Sequence, residues 1–417
     1  MKKYVLFTPT VSNMGGGQMY VCNKILYYRN KGWNTLVIAG HGNNILLPEL
    51  RECKEIFYEL NFFTYMFSRR KQDSVRNKIA KLICDKTYDE IIIESTSLTA
   101  CTWAETVSSV VNAKHIVYLL QERNDIDNKG LLELLIFKHK RREIAGITDK
   151  TLPKMFDIYY AIDNDKAFKL PAKCNNVMAD VDHPLLHEID KTQQDFIIGC
   201  LSRLDKPFFL SALDDFCEYV KGSPSKKFLL ILMGDVSHNN VLADKIEKAI
   251  QQTTNVNYVI TGYLYPVPTR LLELCDAFFS SAGSSQVCMY SGIPTIVYDA
   301  NDYKPIGILG RTTKQTLFRD NNQPPQSFKM LMDDILIIKV YPVLAPDYSP
   351  TFPDFSAHVD FVSNSEPSFL YYPINDLKNE TKTEKMVSRV LFFIGAKLYV
   401  DLRGYKISKW IKHKFAE

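Results

Sequence analysis

The sequence predicts an α/β protein of two doubly wound parallel-sheet domains, and three observations carry that prediction. The first is length: 417 residues exceed what one core usually fills, so two domains are expected. The second is that short, nearly all-apolar runs alternate with amphipathic stretches of helical length through the first half. The third is that the same alternation restarts after a polar, proline-bearing stretch at 163–194.

In the first half the runs Tyr4–Phe7, Thr35–Ala39, Glu90–Ile93 and His115–Leu120 show little polar alternation, as strands buried on both faces do. Helices are expected between them at Gln18–Lys31, Asp73–Lys86, Ser97–Val111 and Lys129–Ile144. The second series predicts strands at Phe196–Leu201, Phe228–Met233, Tyr258–Ile260, Ala277–Ser280 and Thr295–Tyr298. Its helices fall around Leu210–Tyr219 and Leu242–Gln251. From Pro324 to Pro373 weak periodicity predicts irregular chain, and a helix resumes near Thr381. The expected domains are therefore 1–180 and 181–380, followed by a helical segment with a basic tail at 381–417.

Composition narrows the class. Hydrophobic residues at 46% and charged residues at 24% are ordinary for a globular chain. The apolar run after Lys2 and Lys3 stops at Pro9, which suits a buried first strand better than a signal peptide. The longest apolar candidate, Val390–Val400, is broken by Lys397, so no spanning helix is expected. The 9 cysteines include no C-x-x-C pair, which argues against a zinc cage or disulfide framework and for reduced thiols in the cytoplasm. From Lys397 onward, six basic residues against Asp401 and Glu417 account for the whole net charge of +4. A basic tail on a neutral body fits an anionic membrane surface rather than nucleic acid.

Four segments at expected strand ends carry chemistry. Ser12–Gln18 contains Gly15, Gly16 and Gly17 before a helix; the glycines permit a positive-φ turn and close approach of an anion to free helix N–H groups. It is not G-x-G-x-x-G, which disfavours a dinucleotide. Gly199–Lys206 ends in Arg203, a planar fork, and Lys206, a point charge, together suited to a diphosphate. Gly234-Asp235 and Thr261-Gly262-Tyr263 close the next two strands. Finally, Ser280–Thr295 runs from a strand through Gly283, Ser284 and Ser285 into a short helix ending at Gly292-Ile293-Pro294. Small residues there open the helix N–H groups to a phosphate or base edge.

In order and spacing these motifs resemble the glycosyltransferases of the GT-B fold, especially the large family 4 group, over residues 4–40 and 196–310. The resemblance implies two Rossmann-like domains facing each other across a cleft, and a nucleotide-sugar donor as substrate with no other cofactor. It implies a diphosphate held by Arg203 and Lys206, with Arg203 the stronger grip. Base and ribose would lie near Gly262 and the Ser281–Tyr290 segment, so the donor-binding set is Gly16, Gly17, Gly234, Asp235, Gly262, Gly283, Ser284, Ser285 and Tyr290. The chain is divergent: it lacks the glutamates the family carries on that segment, and Val287 stands where the second would fall. No Asp-x-Asp pair sits at a strand end, so no metal is implied.

On the acceptor side, Glu94 and Glu122 end strands, where a carboxylate can orient or deprotonate a sugar hydroxyl. His115 begins a strand and reads as structural. The expected reaction is sugar transfer to a glycan or lipid-linked glycan in surface polysaccharide synthesis, on the cytoplasmic side of a membrane. Two segments suit peripheral contact with that membrane: Leu131–Arg142, and the tail stripe Ile407, Trp410, Ile411 and Phe415. The alternatives are a sugar-nucleotide 2-epimerase and a non-catalytic nucleotide-sugar- or glycan-binding protein.

Overall fold

The structure is a computed structural model that describes residues 1–121, 126, 128–156, 159–174, 176–236, 240–320, 322–339, 353–374 and 382–403. Two compact units divide the chain: Met1–Lys173 with Phe352–Glu417, and Cys174–Thr351. The expected boundary at 380 is therefore corrected, because the chain rejoins the first unit before its final helix.

The first unit is built on β1 (Lys2–Thr8), β2 (Asn34–Ala39), β3 (Lys54–Ile56), β4 (Glu90–Ser95), β5 (Lys114–Leu119) and β6 (Ile144–Gly146), in the order β3-β2-β1-β4-β5-β6. Every pairing is parallel. Its crossovers include α1 (Gly16–Asn30), α2 (Arg69–Ile83), α3 (Leu98–Val111) and α4 (Lys129–Lys140). Ser68, Ser97 and Asn128 cap the last three through side-chain oxygens that accept backbone N–H bonds. Helix α4 stops at Lys140 rather than Ile144 because Ile144 starts the edge strand β6.

The second unit repeats the plan. A two-residue pair, β7 (Met178–Ala179) with β11 (Val267–Pro268), flanks a sheet of β8 (Phe196–Leu201), β9 (Phe228–Met233), β10 (Val256–Ile260), β12 (Ala277–Ser280), β13 (Thr295–Tyr298) and β14 (Pro305–Ile308). Its order, β10-β9-β8-β12-β13-β14, is parallel except at the antiparallel edge strand β14. Helices α5 (Pro207–Lys221), α6 (Asn240–Gln251) and α7 (Gly283–Tyr290) make its crossovers. The alternation along β9 shows why both faces are covered. Phe228, Leu230 and Leu232 join one apolar cluster with Phe216 and Phe279, whereas Leu229, Ile231 and Met233 join another with Phe278 and Val287.

The stretch expected to be irregular holds two helices, α8 (Phe328–Leu336) and α9 (Ser356–Ser363). Helix α8 completes the second unit's core through Phe328, Leu331 and Ile335. Helix α9 belongs to the first unit, which also contains α10 (Lys382–Arg403).

Candidate functional site

In open α/β sheets ligands gather at the carboxyl ends of strands, where the strand order reverses. In the second unit that reversal lies between β8 and β12. Ser280 Oγ donates to the Leu201 carbonyl across it at 2.6 Å, and Ser202 N donates to the Met233 carbonyl at 3.1 Å. Gly234 follows so closely that a Cβ there would meet the Ser202 oxygen at 2.0 Å. The neighbouring loop alone therefore accounts for this glycine.

The two expected cations differ in surroundings. Arg203 is exposed, and its Nε lies 3.3 Å from the exposed Asp205 carboxylate, a pair that water screens. Lys206 is partly buried at the N-terminus of α5 and makes no ion pair among the described residues. Its Nζ lies 6.0 Å from the Phe208 ring centre. Burial first, and then the Arg203 charge, pulls its pKa below the ordinary lysine range. The positive end of a helix beside it is a third unfavourable influence. An anion bound here would relieve all three.

The loops after β9 and β10 complete this neighbourhood. Burial, then the charges of Asp235 and Asp205, raises the Tyr263 phenol, with Arg203 opposing. The charges of Arg203, Asp205 and Asp235 thus all reach the Tyr263 phenol. Gly262 beside them has φ 75° and open space where a side chain would stand. That backbone conformation favours glycine.

The loop after β12 supplies N–H groups. Ala282 precedes α7 with φ 59° and ψ −143°, a strained conformation for a residue with a side chain. Its N–H donates to the Thr316 carbonyl at 2.6 Å, and its own carbonyl accepts from Ser285 Oγ at 2.6 Å. Ser281 Oγ donates to the Tyr298 carbonyl at 3.0 Å. These bonds hold the strained turn, after which Gly283 and Ser284 open the helix with N–H groups that lack an intrahelical acceptor. Buried Ser285 spends its hydroxyl on the turn. Tyr290 ends the helix about 10 Å along its axis from Gly283 and packs against the apolar cluster of Val287. The structure therefore brings Arg203, Lys206 and Asp235 together with Gly262 and, through the Ser280–Leu201 bond, with Gly283 and Ser284. It sets Tyr290 apart.

The first unit holds the remaining candidates. Gly15 is extended (φ −168°, ψ 177°), and neither Gly16 nor Gly17 has positive φ; the left-handed residue of this loop is Asn13 at φ 59°. Gly16 and Gly17 instead form the first turn of α1. Ser12 is held by Asn43 N, which donates to its Oγ at 3.0 Å, and by His41 Nδ1 at 2.6 Å. Glu122 lies outside the described residues.

Glu94 is no exposed base, since only 1% of its surface is accessible. The hydroxyls of Tyr4 and Tyr20 donate to its carboxylate at 2.6 and 2.5 Å, and Lys24 Nζ pairs with it at 3.2 Å. Burial pushes this carboxyl up, but Lys24, His358 and the two hydroxyls outweigh it and hold it below its usual range. Burial, then Lys24, brings the His358 imidazole down to about 4. It is therefore neutral: Nδ1 accepts from Lys24 at 2.8 Å, and Nε2 donates to the Pro171 carbonyl at 2.9 Å.

A second buried cluster corrects the reading of Leu131–Arg142 as a membrane face. Leu131, Leu134 and Leu135 face the core. Lys138 pairs with Glu105 at 2.5 Å and Glu143 at 3.1 Å, and Arg141 pairs with Glu143 at 3.1 Å. His115 bonds Glu105 at 2.6 Å and Ser95 Oγ at 2.9 Å, so it is structural, as expected. Glu105 also accepts from Tyr372 N at 2.7 Å, and Tyr371 donates to the Ala113 carbonyl at 3.1 Å. These bonds fix the returning segment to the first unit. Lys24 at helical spacing from Tyr20 hinted at the first cluster; nothing local marked His358 as its partner.

Several solved structures share this fold. A glycosyltransferase from Rickettsia africae superposes with TM-score 0.59 at 15% identity, covering 94% of this chain and 99% of its own. Anabaena HepE, in complex with UDP and glucose, gives 0.54 at 13% identity, covering 93% and 99%. The N-terminal domain of Candida albicans trehalose-6-phosphate phosphatase gives 0.51 at 10% identity, covering 94% and 96%. At these identities the likeness is one of fold: two Rossmann-like units, the GT-B type that the motifs implied. No protein-family model and no curated protein matches the chain.

Proposed function

We propose that the protein is a nucleotide-sugar-dependent glycosyltransferase whose donor diphosphate binds between Lys206, Arg203 and the first N–H groups of α7. The observation that carries this reading is Lys206: a partly buried ammonium without an ion-pair partner among the described residues, set beside another cation and a positive helix end. Such a group is matched to an anionic ligand, with which it can form the strong charge-assisted bonds that a phosphate accepts. Asp235 and Tyr263 offer partners for ribose hydroxyls beside the open turn at Gly262. The complexes of HepE with UDP and with UDP-glucose support the same choice of donor class.

In the reaction an acceptor hydroxyl oxygen bonds to the anomeric carbon, the bond from that carbon to the diphosphate breaks, and the nucleoside diphosphate leaves with the electron pair. Lys206, Arg203 and the Gly283–Ser284 amides stabilise the charge that grows on the departing oxygen, a preorganised contribution of several kcal/mol in comparable sites. The acceptor we assign is a glycan or lipid-linked glycan of surface polysaccharide synthesis. The test is a thermal-shift panel of UDP- and other nucleotide sugars, since a ligand of the folded state raises its stability by mass action, followed by turnover assays with the stabilising donor. Stabilisation by a nucleotide sugar with acceptor-dependent release of the nucleoside diphosphate is expected. No stabilisation by any of them would overturn the reading, and tight binding without turnover would leave a binding protein.

A further inference from the structure

Helix α10 carries a surface that the proposed reaction does not use. Its inner side is anchored: Leu391 and Ala396 are buried with Phe62 and Met66, flanked by Val387, Tyr399 and Val400. In an uninterrupted helix residues 391 and 396 point about 140° apart, so both cannot face one body. The break at Gly395 (φ 76°, ψ 160°) reconciles them. Nothing lies within 4 Å of where its side chain would be, so the glycine serves backbone conformation rather than packing.

Before the break, Phe392 and Phe393 lie side by side and outward, 81% and 82% exposed, their rings 5.5 Å apart at 85°, with Leu398 48% exposed beyond it. Adjacent aromatics this bare are unusual on a face that meets only water. Charge is sorted around them. Glu384, the acidic residue of the first turn, is turned to the body, accepting from the Tyr65 hydroxyl at 2.7 Å. Lys385 and Arg389 stand two turns and one turn, respectively, before the aromatic pair on its side of the helix, exposed and making no ion pair among the described residues. Over 382–417 the sequence has nine basic residues against three acidic ones, a formal +6, while the rest of the chain sums to −2. Apolar bulk at the centre of a cationic rim is complementary to an anionic lipid surface, where rings enter the interface and ammonium and guanidinium groups meet headgroup phosphates.

We propose that α10 is the membrane-docking element of this protein, with Phe392 and Phe393 inserting into an anionic bilayer surface and Lys385 and Arg389 engaging its headgroups. This contact is distinct from donor binding, and its test reads lipid, not nucleotide. The full chain is sedimented with phosphatidylcholine vesicles with and without phosphatidylglycerol. Binding is expected only to the anionic vesicles and is weakened by salt. The double variant Phe392→Ser/Phe393→Ser should lose on the order of tenfold or more in binding, and Lys385→Gln and Arg389→Gln about fivefold each. All these positions are exposed, so folding and the thermal shift by a donor should persist. Phe393→Trp adds a direct reporter whose emission should move to the blue on meeting anionic vesicles.

Undiminished binding by the double variant, or emission of Phe393→Trp that anionic vesicles leave unmoved, overturns the proposal. Self-association abolished by Phe392→Ser/Phe393→Ser would instead make the face an interface between copies. A red shift of Phe393→Trp on removing residues 404–417, without vesicles, would mean that the tail covers it. Either result would also overturn the proposal.

Discussion

Replacing Lys206 by methionine keeps most of the side-chain stem and removes the charge. In the free protein that charge is partly buried, beside Arg203 and at the wrong end of a helix dipole, so its removal is expected to raise the melting temperature. The sign follows from linkage. The folded state holds the Lys206 proton less tightly than the unfolded chain does, so the charged form opposes folding at neutral pH. The stabilisation should be full there and shrink as the pH climbs toward the ordinary lysine value of 10.5. With donor present the order reverses. A charge-assisted bond to the diphosphate contributes about 2 kcal/mol, so its loss should weaken donor binding about 30-fold. Turnover should fall by more, because the contact strengthens as the leaving group gains charge. Thermal shift with and without the donor and steady-state turnover measure both halves. Arg203→Ala should be milder, since Arg203 is exposed and already paired with Asp205. A Lys206→Met variant whose donor-induced shift equals that of the unaltered protein would refute this reasoning.

Two further outcomes are expected. Glu105→Gln should destabilise by about 3–5 kcal/mol in urea titrations at neutral pH, because Lys138 loses its nearest partner. Burial pushes the Glu105 carboxyl up, but Lys138 and His115 hold it at about 2 against an ordinary 4.5. Its contribution is therefore complete above pH 4.5 and lost as pH falls toward about 2, and the variant should lack that limb of the acid profile. Ala282→Gly should release a strained turn and raise the melting temperature by a net of about 1 kcal/mol in stability, since relief outweighs the added freedom of the unfolded chain. A fall in melting temperature would show that the turn is unstrained.

The architecture was legible because its determinants are local. Both-faces-buried strands must be nearly all apolar, crossover helices must be amphipathic, and the turns between them need glycine, serine or proline. Strands β1, β2, β4, β5, β8, β9, β10, β12 and β13 therefore stood out, whereas three-residue β3 and β6 and the Gly-containing edge strand β14 were too short or too atypical to show a period. The same locality put Arg203, Lys206, Gly262 and the Gly283–Ser284 turn at strand ends. Tertiary structure decided what each does. The two cations differ because Lys206 is partly buried beside Phe208 and makes no ion pair among the described residues, whereas Arg203 is exposed and paired with Asp205, and sequence spacing cannot express solvent access. Gly234 answers to the Ser202 carbonyl, a contact between strands that are neighbours only in the sheet. Glu94 became a buried anion because Lys24 and His358, 70 and 264 residues away in the chain, converge on it. Lys138 and Arg141, unlike the exposed Lys140 and Arg142, turned inward for the same reason: a charge inside a fold goes to its nearest opposite charge, and only the folded chain determines which one that is.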